Sequence, residues 1–164
     1  MKKISFLGLS IILLINFSAC TGYKPIFSSS NLLFEIADYS LSGEKKLANK
    51  IYSRLNNLSN SNKNNPEAES VSVFIEISKD KVATVKNSKG KIIEYKIILN
   101  SNIIVKNYLT NDKILDKNFT SSLSYKVQDQ YSETVKIENT TTDNLINKIY
   151  QDLLIQLSEK MLAE

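Results

Sequence analysis

Histidine and tryptophan are absent from the 164 residues, and cysteine (Cys20) and arginine (Arg54) occur once each. Without histidine there is no Ser–His or Cys–His pair for nucleophilic catalysis. A zinc site of the Cys/His type cannot be assembled either, and one cysteine excludes an intramolecular disulfide. The four glycines, Gly8, Gly22, Gly43 and Gly90, are too scattered to form a phosphate-cradling loop, and no GxSxG elbow is present. Carboxylate pairs such as Asp112 with Asp116 fall in a turn and on a polar strand face, which suits solvated charges. These absences point away from an enzyme and from any metal or cofactor.

Charge is nearly balanced as well. The formal net charge is +4, from 21 Lys and Arg against 17 Asp and Glu. Lys2 and Lys3 precede an apolar run, so removal of that run leaves 19 against 17, or +2. A nucleic-acid partner would call for a clustered basic face, which this balance does not supply.

What is present starts with "MKKISFLGLSIILLINFSAC". Lys2 and Lys3 form a basic start, Ile4 to Phe17 an apolar stretch, and Ser18-Ala19 put small residues ahead of Cys20. As a helix, the apolar stretch spans roughly 21 Å, short of a hydrocarbon core of about 30 Å. It therefore reads as a signal peptide, residues 1–19, rather than a membrane span. Ser18-Ala19-Cys20 resembles the bacterial lipobox, with Phe17 where Leu is usual; the other reading is an ordinary cleaved signal with an incidental thiol. With a diacylglycerol and an amide-linked acyl chain on Cys20, attachment is stable, because two or more chains hold where one does not. Thr21, in place of Asp, favours the outer membrane under the sorting rule that accompanies the lipobox.

Residues 20–31, with a proline and the run Ser28-Ser29-Ser30, read as a tether, and residues 32–164 as a single domain. Leu32 to Tyr39 alternates as a strand, with Leu32, Phe34 and Ile36 on its greasier side. Leu47, Ile51, Leu55 and Leu58 then form a helical stripe. Ser42 is the expected N-cap of that helix and Glu44 lies in its expected first turn. Val71, Val73, Ile75 and Ile77 alternate along a second strand. A third carries Ile93, Tyr95, Ile97, Leu99, Ile103 and Val105, and a fourth Leu115, Phe119, Leu123, Tyr125 and Val127. Leu145 or Ile146, Ile149, Leu153, Leu157 and Met161 mark a C-terminal helix, read as one long element; a break near Asn139–Asp143 is the other possibility.

The order β-α-β-β-β-α predicts an α+β fold: a two-layer sandwich with a four-stranded, mainly antiparallel sheet and two helices on one face. Its other face then carries Phe74, Ile92, Ile98 and Ile104 among polar residues. These are either singly exposed apolar groups or a partner-binding surface. Lys86, Lys89 and Lys91 on a hairpin tip, with Lys106 and Lys113 around the next loop, are either solvated lysines or contacts for phosphates.

"GYKPIF", Gly22 to Phe27, resembles the segment that follows the lipid cysteine in the lipopolysaccharide-assembly lipoproteins of the LptE type, especially their alphaproteobacterial members. "SYKVQDQYSETV", Ser124 to Val135, is similar to their strand-to-helix junction, and the order of elements matches along the whole mature chain. Thr21 is one residue more than this family usually places between the cysteine and the glycine. The resemblance implies a non-enzymatic lipoprotein on the periplasmic side of the outer membrane. It implies a partner, the outer-membrane β-barrel lipopolysaccharide-assembly protein of the LptD type, whose lumen the lipoprotein plugs and whose assembly it assists. The five lysines would then meet lipopolysaccharide. The alternative is a lipid-anchored accessory subunit of another envelope or transport complex.

Overall fold

A computed structural model describes residues 32–61 and 65–161. The expected signal peptide, Cys20, the expected tether and "GYKPIF" lie outside the described residues. The elements run β1 (Phe34–Gly43), α1 (Lys45–Ser61), β2 (Glu69–Lys86), β3 (Ile92–Asn107), β4 (Lys113–Lys126) and α2 (Tyr131–Met161). The four strands form one sheet in the order β1-β2-β3-β4. β2, β3 and β4 are an antiparallel meander joined by short turns. β1 instead pairs with β2 in parallel, which requires a crossover, and α1 supplies it. The fold is the α+β sandwich expected from the residue pattern.

Both helices cover the same face. The buried stripe Leu47, Ala48, Ile51 and Leu55 of α1, and Leu145, Ile146, Ile149, Leu153 and Leu157 of α2, close over Val71, Val73, Ile75, Ile77, Ile97, Leu99, Ile103 and Val105 of the sheet. The helices meet each other through the Lys50–Asp143 ion pair and the Arg54 guanidinium, 5.6 Å from the Tyr150 ring centroid.

α2 is continuous for 31 residues through Asn139–Asp143, about 46 Å at the usual rise. Its threonines are accommodated because their hydroxyls turn back on the helix. Thr140 Oγ1 donates to the Lys136 carbonyl at 3.0 Å and Thr142 Oγ1 to the Glu138 carbonyl at 2.8 Å. At the helix start, Thr134 Oγ1 accepts from the Gln128 amide at 2.9 Å, which ties the end of β4 to the first turn.

β1 departs from simple alternation. Ile36 faces Val71 and Asp38 faces Ser72, so Ala37 is an extra residue in a bulge. Phe34 and Ile36 therefore share the helix-covered side with Tyr39 and Leu41, and Tyr39 stacks on Tyr52 of α1 with ring centroids 4.0 Å apart. The Ile36 amide, next to the bulge, donates to buried Ser59 Oγ at 2.9 Å.

The expected cap of α1 is corrected. Ser42 lies in β1 opposite Glu76, and the helix begins at Lys45, after Glu44 rather than around it. Strand pairing continues to Gly43, opposite Ile77, and Gly43 turns the chain with φ +68°. The Glu44 amide then donates to the Ile77 carbonyl at 2.8 Å, while the Glu44 carbonyl accepts from the Ala48 amide at 3.0 Å.

Candidate functional site: the open sheet face and the two ends of the sheet

Period-2 alternation sends every second residue of β2, β3 and β4 to the side without helices. Across that face the register stacks Ser40, Phe74, Ile104 and Asp116 in one row. The next rows are Ser42-Glu76-Asn102-Asn118, Ser78-Asn100-Thr120 and Asp80-Ile98-Ser122. Side chains in the middle rows bond sideways: Asn102 Nδ2 donates to Asn118 Oδ1 and Thr120 Oγ1 to Asn100 Oδ1, both at 2.9 Å. Two shallow hollows of about 260 and 380 Å³ lie over these rows.

The four apolar residues expected on this face, Phe74, Ile92, Ile98 and Ile104, are all half-buried, but they do not form one patch. Phe74 and Ile104 are direct cross-strand partners, whereas Ile98 sits opposite Asp80 and Ile92 opposite Lys86. Ile98 is six residues along β3 from Ile104, about 20 Å, and Ile92 twice as far. The surface is thus a polar field with one apolar pair at one end and isolated isoleucines beyond it.

The lysines divide in the same way. Lys86, Lys89 and Lys91 are exposed around the β2–β3 turn. Asn87 Oδ1 shapes that turn by accepting from the amides of Lys89 and Lys91 at 3.0 and 2.9 Å, and Gly90 takes φ +79°. Lys106 and Lys113 flank the β3–β4 turn at the opposite end. Between Lys91 and Lys106 the chain runs the length of β3, about 50 Å. The structure therefore does not bring the five lysines together. Lys113 is already paired with Asp116 at 2.7 Å, and this contact holds the Asp116 carboxyl below its usual range. Lys106 lies 3.3 Å from Asn111 Oδ1 and 5.6 Å from the Phe74 ring centroid. Lys86, Lys89 and Lys91 at the β2–β3 tip have no side-chain carboxylate among their described contacts.

One charged cluster has no counterpart in the expectations drawn from the residue pattern. Beyond Ile77, β2 places Lys79 and Lys81 on the helix-covered side, where α2 presents Glu138. Lys79 Nζ lies 3.0 Å from Glu138 Oε1, Lys81 Nζ 2.6 Å from Oε2, and the Tyr125 hydroxyl donates to Oε2 at 2.7 Å. The Lys81 ammonium also sits 4.4 Å from the Tyr95 ring centroid, and Tyr95 stacks on Tyr125. Partial burial alone would raise the Glu138 pKa. Hydrogen bonds from Lys81, Tyr125 and Lys79 outweigh it and bring the carboxyl from 4.5 to about 2. Lys81 moves the other way: burial pulls it down, but Glu138 and Tyr125 push it above its ordinary range. Burial raises the Tyr125 hydroxyl. A carboxylate and ammonium fixed this firmly in their charged forms do not exchange protons near neutrality, so the cluster is a strut between α2 and the hairpin. The available signal was the β2 alternation itself, which carries two lysines onto the core-facing side.

Among the described residues no group of three or more Asp, Glu, His or Cys could hold a metal ion, and no helix is long and apolar enough to cross a membrane. No family model and no curated protein matches the chain. Solved structures do. A protein from Caulobacter crescentus CB15 described as a lipoprotein superposes with a TM-score of 0.53 at 8% identity, over 78% of this chain and 90% of that one. Lipoprotein B from Nitrosomonas europaea gives 0.52 at 14%, over 81% and 88%. A minor lipoprotein from Acinetobacter baumannii gives 0.50 at 14%, over 78% and 93%. At these identities the likeness is one of fold: this chain has the fold of those bacterial lipoproteins.

Proposed function

We propose that this chain is a non-enzymatic lipoprotein of the bacterial envelope, anchored through Cys20 on the periplasmic side of the outer membrane. There it plugs a β-barrel partner that transports and assembles lipopolysaccharide. The observation that carries this reading is the open sheet face, where rows of Ser, Asn, Thr and Glu surround a single apolar pair, Phe74 with Ile104. The lumen of a large barrel is polar, and a folded plug inside it needs a surface of that kind. Support also comes from the fold shared with proteins that are themselves described as lipoproteins, and from the small residues ahead of Cys20. The partner residues are then Phe74 and Ile104, with Asn102 and Asn118 beside them; Ile92 and Ile98 are separate contacts.

Lipopolysaccharide phosphates would be met by Lys86, Lys89 and Lys91, as compact mobile charges at the far tip of the β2–β3 hairpin. Each lysine near an anionic surface contributes about 1 kcal/mol. Lys86→Glu with Lys89→Glu is therefore expected to reduce capture of the purified chain on immobilised lipopolysaccharide by roughly tenfold or more at physiological salt. Lys106→Glu with Lys113→Glu, at the other end of the sheet, should change it far less. Unchanged capture by the Lys86/Lys89 variant would return those lysines to the role of a solvated tip.

A further inference from the structure

The β3–β4 turn carries the most exposed aliphatic side chain among the described residues. Leu109 is 83% exposed and its neighbour Tyr108 52%. This turn is well built. Asn107 Oδ1 accepts from the amides of Leu109 and Thr110 at 2.9 and 3.0 Å, and the Asn107 carbonyl accepts from Asn111 at 3.0 Å. The Tyr108 amide donates to the Ser70 carbonyl at 2.8 Å, and Asn107 Nδ2 to Glu69 Oε1 at 2.6 Å. Each of the four amides from Tyr108 to Asn111 is thus satisfied within the protein, which lowers the cost of taking the turn out of water. A Tyr-Leu pair held outward in this way has the chemistry of a membrane-interface contact: a ring with a polar tip for the headgroup level beside an aliphatic group for the acyl boundary.

Position in the fold specifies the occupant. The Glu69 amide donates to the Leu33 carbonyl at 3.0 Å, so Leu33 and the turn stand at the same end of the sheet, two strand spacings or about 10 Å apart. Leu32 follows Cys20 by twelve residue steps, which can span at most about 40 Å. An anchor at Cys20 therefore holds this end of the sheet within about 40 Å of the bilayer, less than the roughly 50 Å length of β3 that an upright domain with its β2–β3 tip on the lipid would require. Lys106 and Lys113 around the turn are offset by Asp112, Asp116 and Glu69, so nothing in its charge calls for an anionic lipid.

We propose that Tyr108 and Leu109 form a second contact with the bilayer that holds the anchor, seating the domain with its β3–β4 end against the lipid surface and its β2–β3 tip away from it. This rests on the anchoring at Cys20 proposed above and concerns the anchored chain before a barrel encloses it.

The chain has no tryptophan, so a single introduced indole reports alone. The full chain carrying Leu109→Trp is produced in a bacterium and recovered from membranes, and the N-terminal peptide is weighed to read acylation of Cys20. It is then reconstituted into phosphatidylcholine vesicles with and without brominated acyl chains. The expected result is acylated protein whose emission is shifted to the blue and quenched by the brominated lipid, whereas Lys89→Trp at the opposite end keeps solvent-like emission. Acylated L109W with solvent-like, unquenched emission overturns the membrane contact while leaving the anchor intact. Blue-shifted emission without bromine quenching also overturns it, because protein and not lipid then covers the turn. An unacylated N-terminus overturns the anchoring on which the proposal rests.

Discussion

Gly43→Ala is expected to destabilise the domain by about 3 kcal/mol, read as a lowered urea midpoint with an unchanged slope. Two costs act together. The backbone there has φ +68°, a region that costs a residue with a Cβ roughly 1–2 kcal/mol. An added Cβ would also stand 2.2 Å from the Ile77 carbonyl oxygen. That oxygen accepts the Glu44 amide and helps end β1, so the clash cannot be relieved by a side-chain movement and must push β1 and β2 apart. Gly90→Ala is the natural comparison. Its φ is +79°, but a Cβ there meets nothing within 4 Å, so only the backbone cost of roughly 1–2 kcal/mol applies. Equal effects of the two substitutions would show that close approach at the β1–α1 junction contributes nothing.

Glu138→Gln is expected to destabilise the domain by about 2–3 kcal/mol at neutral pH. The carboxyl falls from 4.5 to about 2 in the folded chain, and the side chain is only 19% exposed, so solvent screens the cluster weakly. A folded-state pKa below the unfolded one means that the unfolded chain binds the proton more readily. The stabilisation is therefore complete above about pH 4.5 and is lost as pH falls towards 2. The gap in unfolding free energy between wild type and variant should be constant from pH 6 to 8 and should close progressively below pH 4.5. A gap that persists unchanged at pH 2.5, or no gap at neutrality, would contradict the strut.

The residue pattern made the architecture legible where one period runs uninterrupted. Val71 to Ile77 in β2, Ile97 to Val105 in β3 and the stripes of both helices are buried, or half-buried at Leu58 and Met161, where alternation and helical spacing place them. Legibility ended where the period slips. The bulge at Ala37 shifts the phase from Phe34 and Ile36 to Tyr39 and Leu41, and simple alternation cannot register a single inserted residue. Ser42 has the chemistry of an N-cap, yet the parallel pairing of β1 with β2 extends through it and postpones the helix to Lys45.

The candidate site was legible in part, for a related reason. The uncovered face follows from parity once two helices are assigned to the other side, so Phe74 and Ile104 were identifiable. Grouping the five lysines was not supported, because loops that are successive in sequence lie at opposite ends of a meander. The Glu138 cluster depends on how α2 lies along the sheet, which neither strand parity nor helical spacing specifies.

The claim that this chain serves as the plug of an envelope β-barrel is tested most directly by what accompanies it out of the membrane. The full chain, tagged at its C-terminus, is extracted in mild detergent, purified, and analysed by intact and peptide mass measurement. The account predicts Cys20-acylated protein in equimolar association with an outer-membrane β-barrel of the lipopolysaccharide-transport type. Recovery of the acylated chain as a free monomer, or in association with an inner-membrane complex, would contradict it.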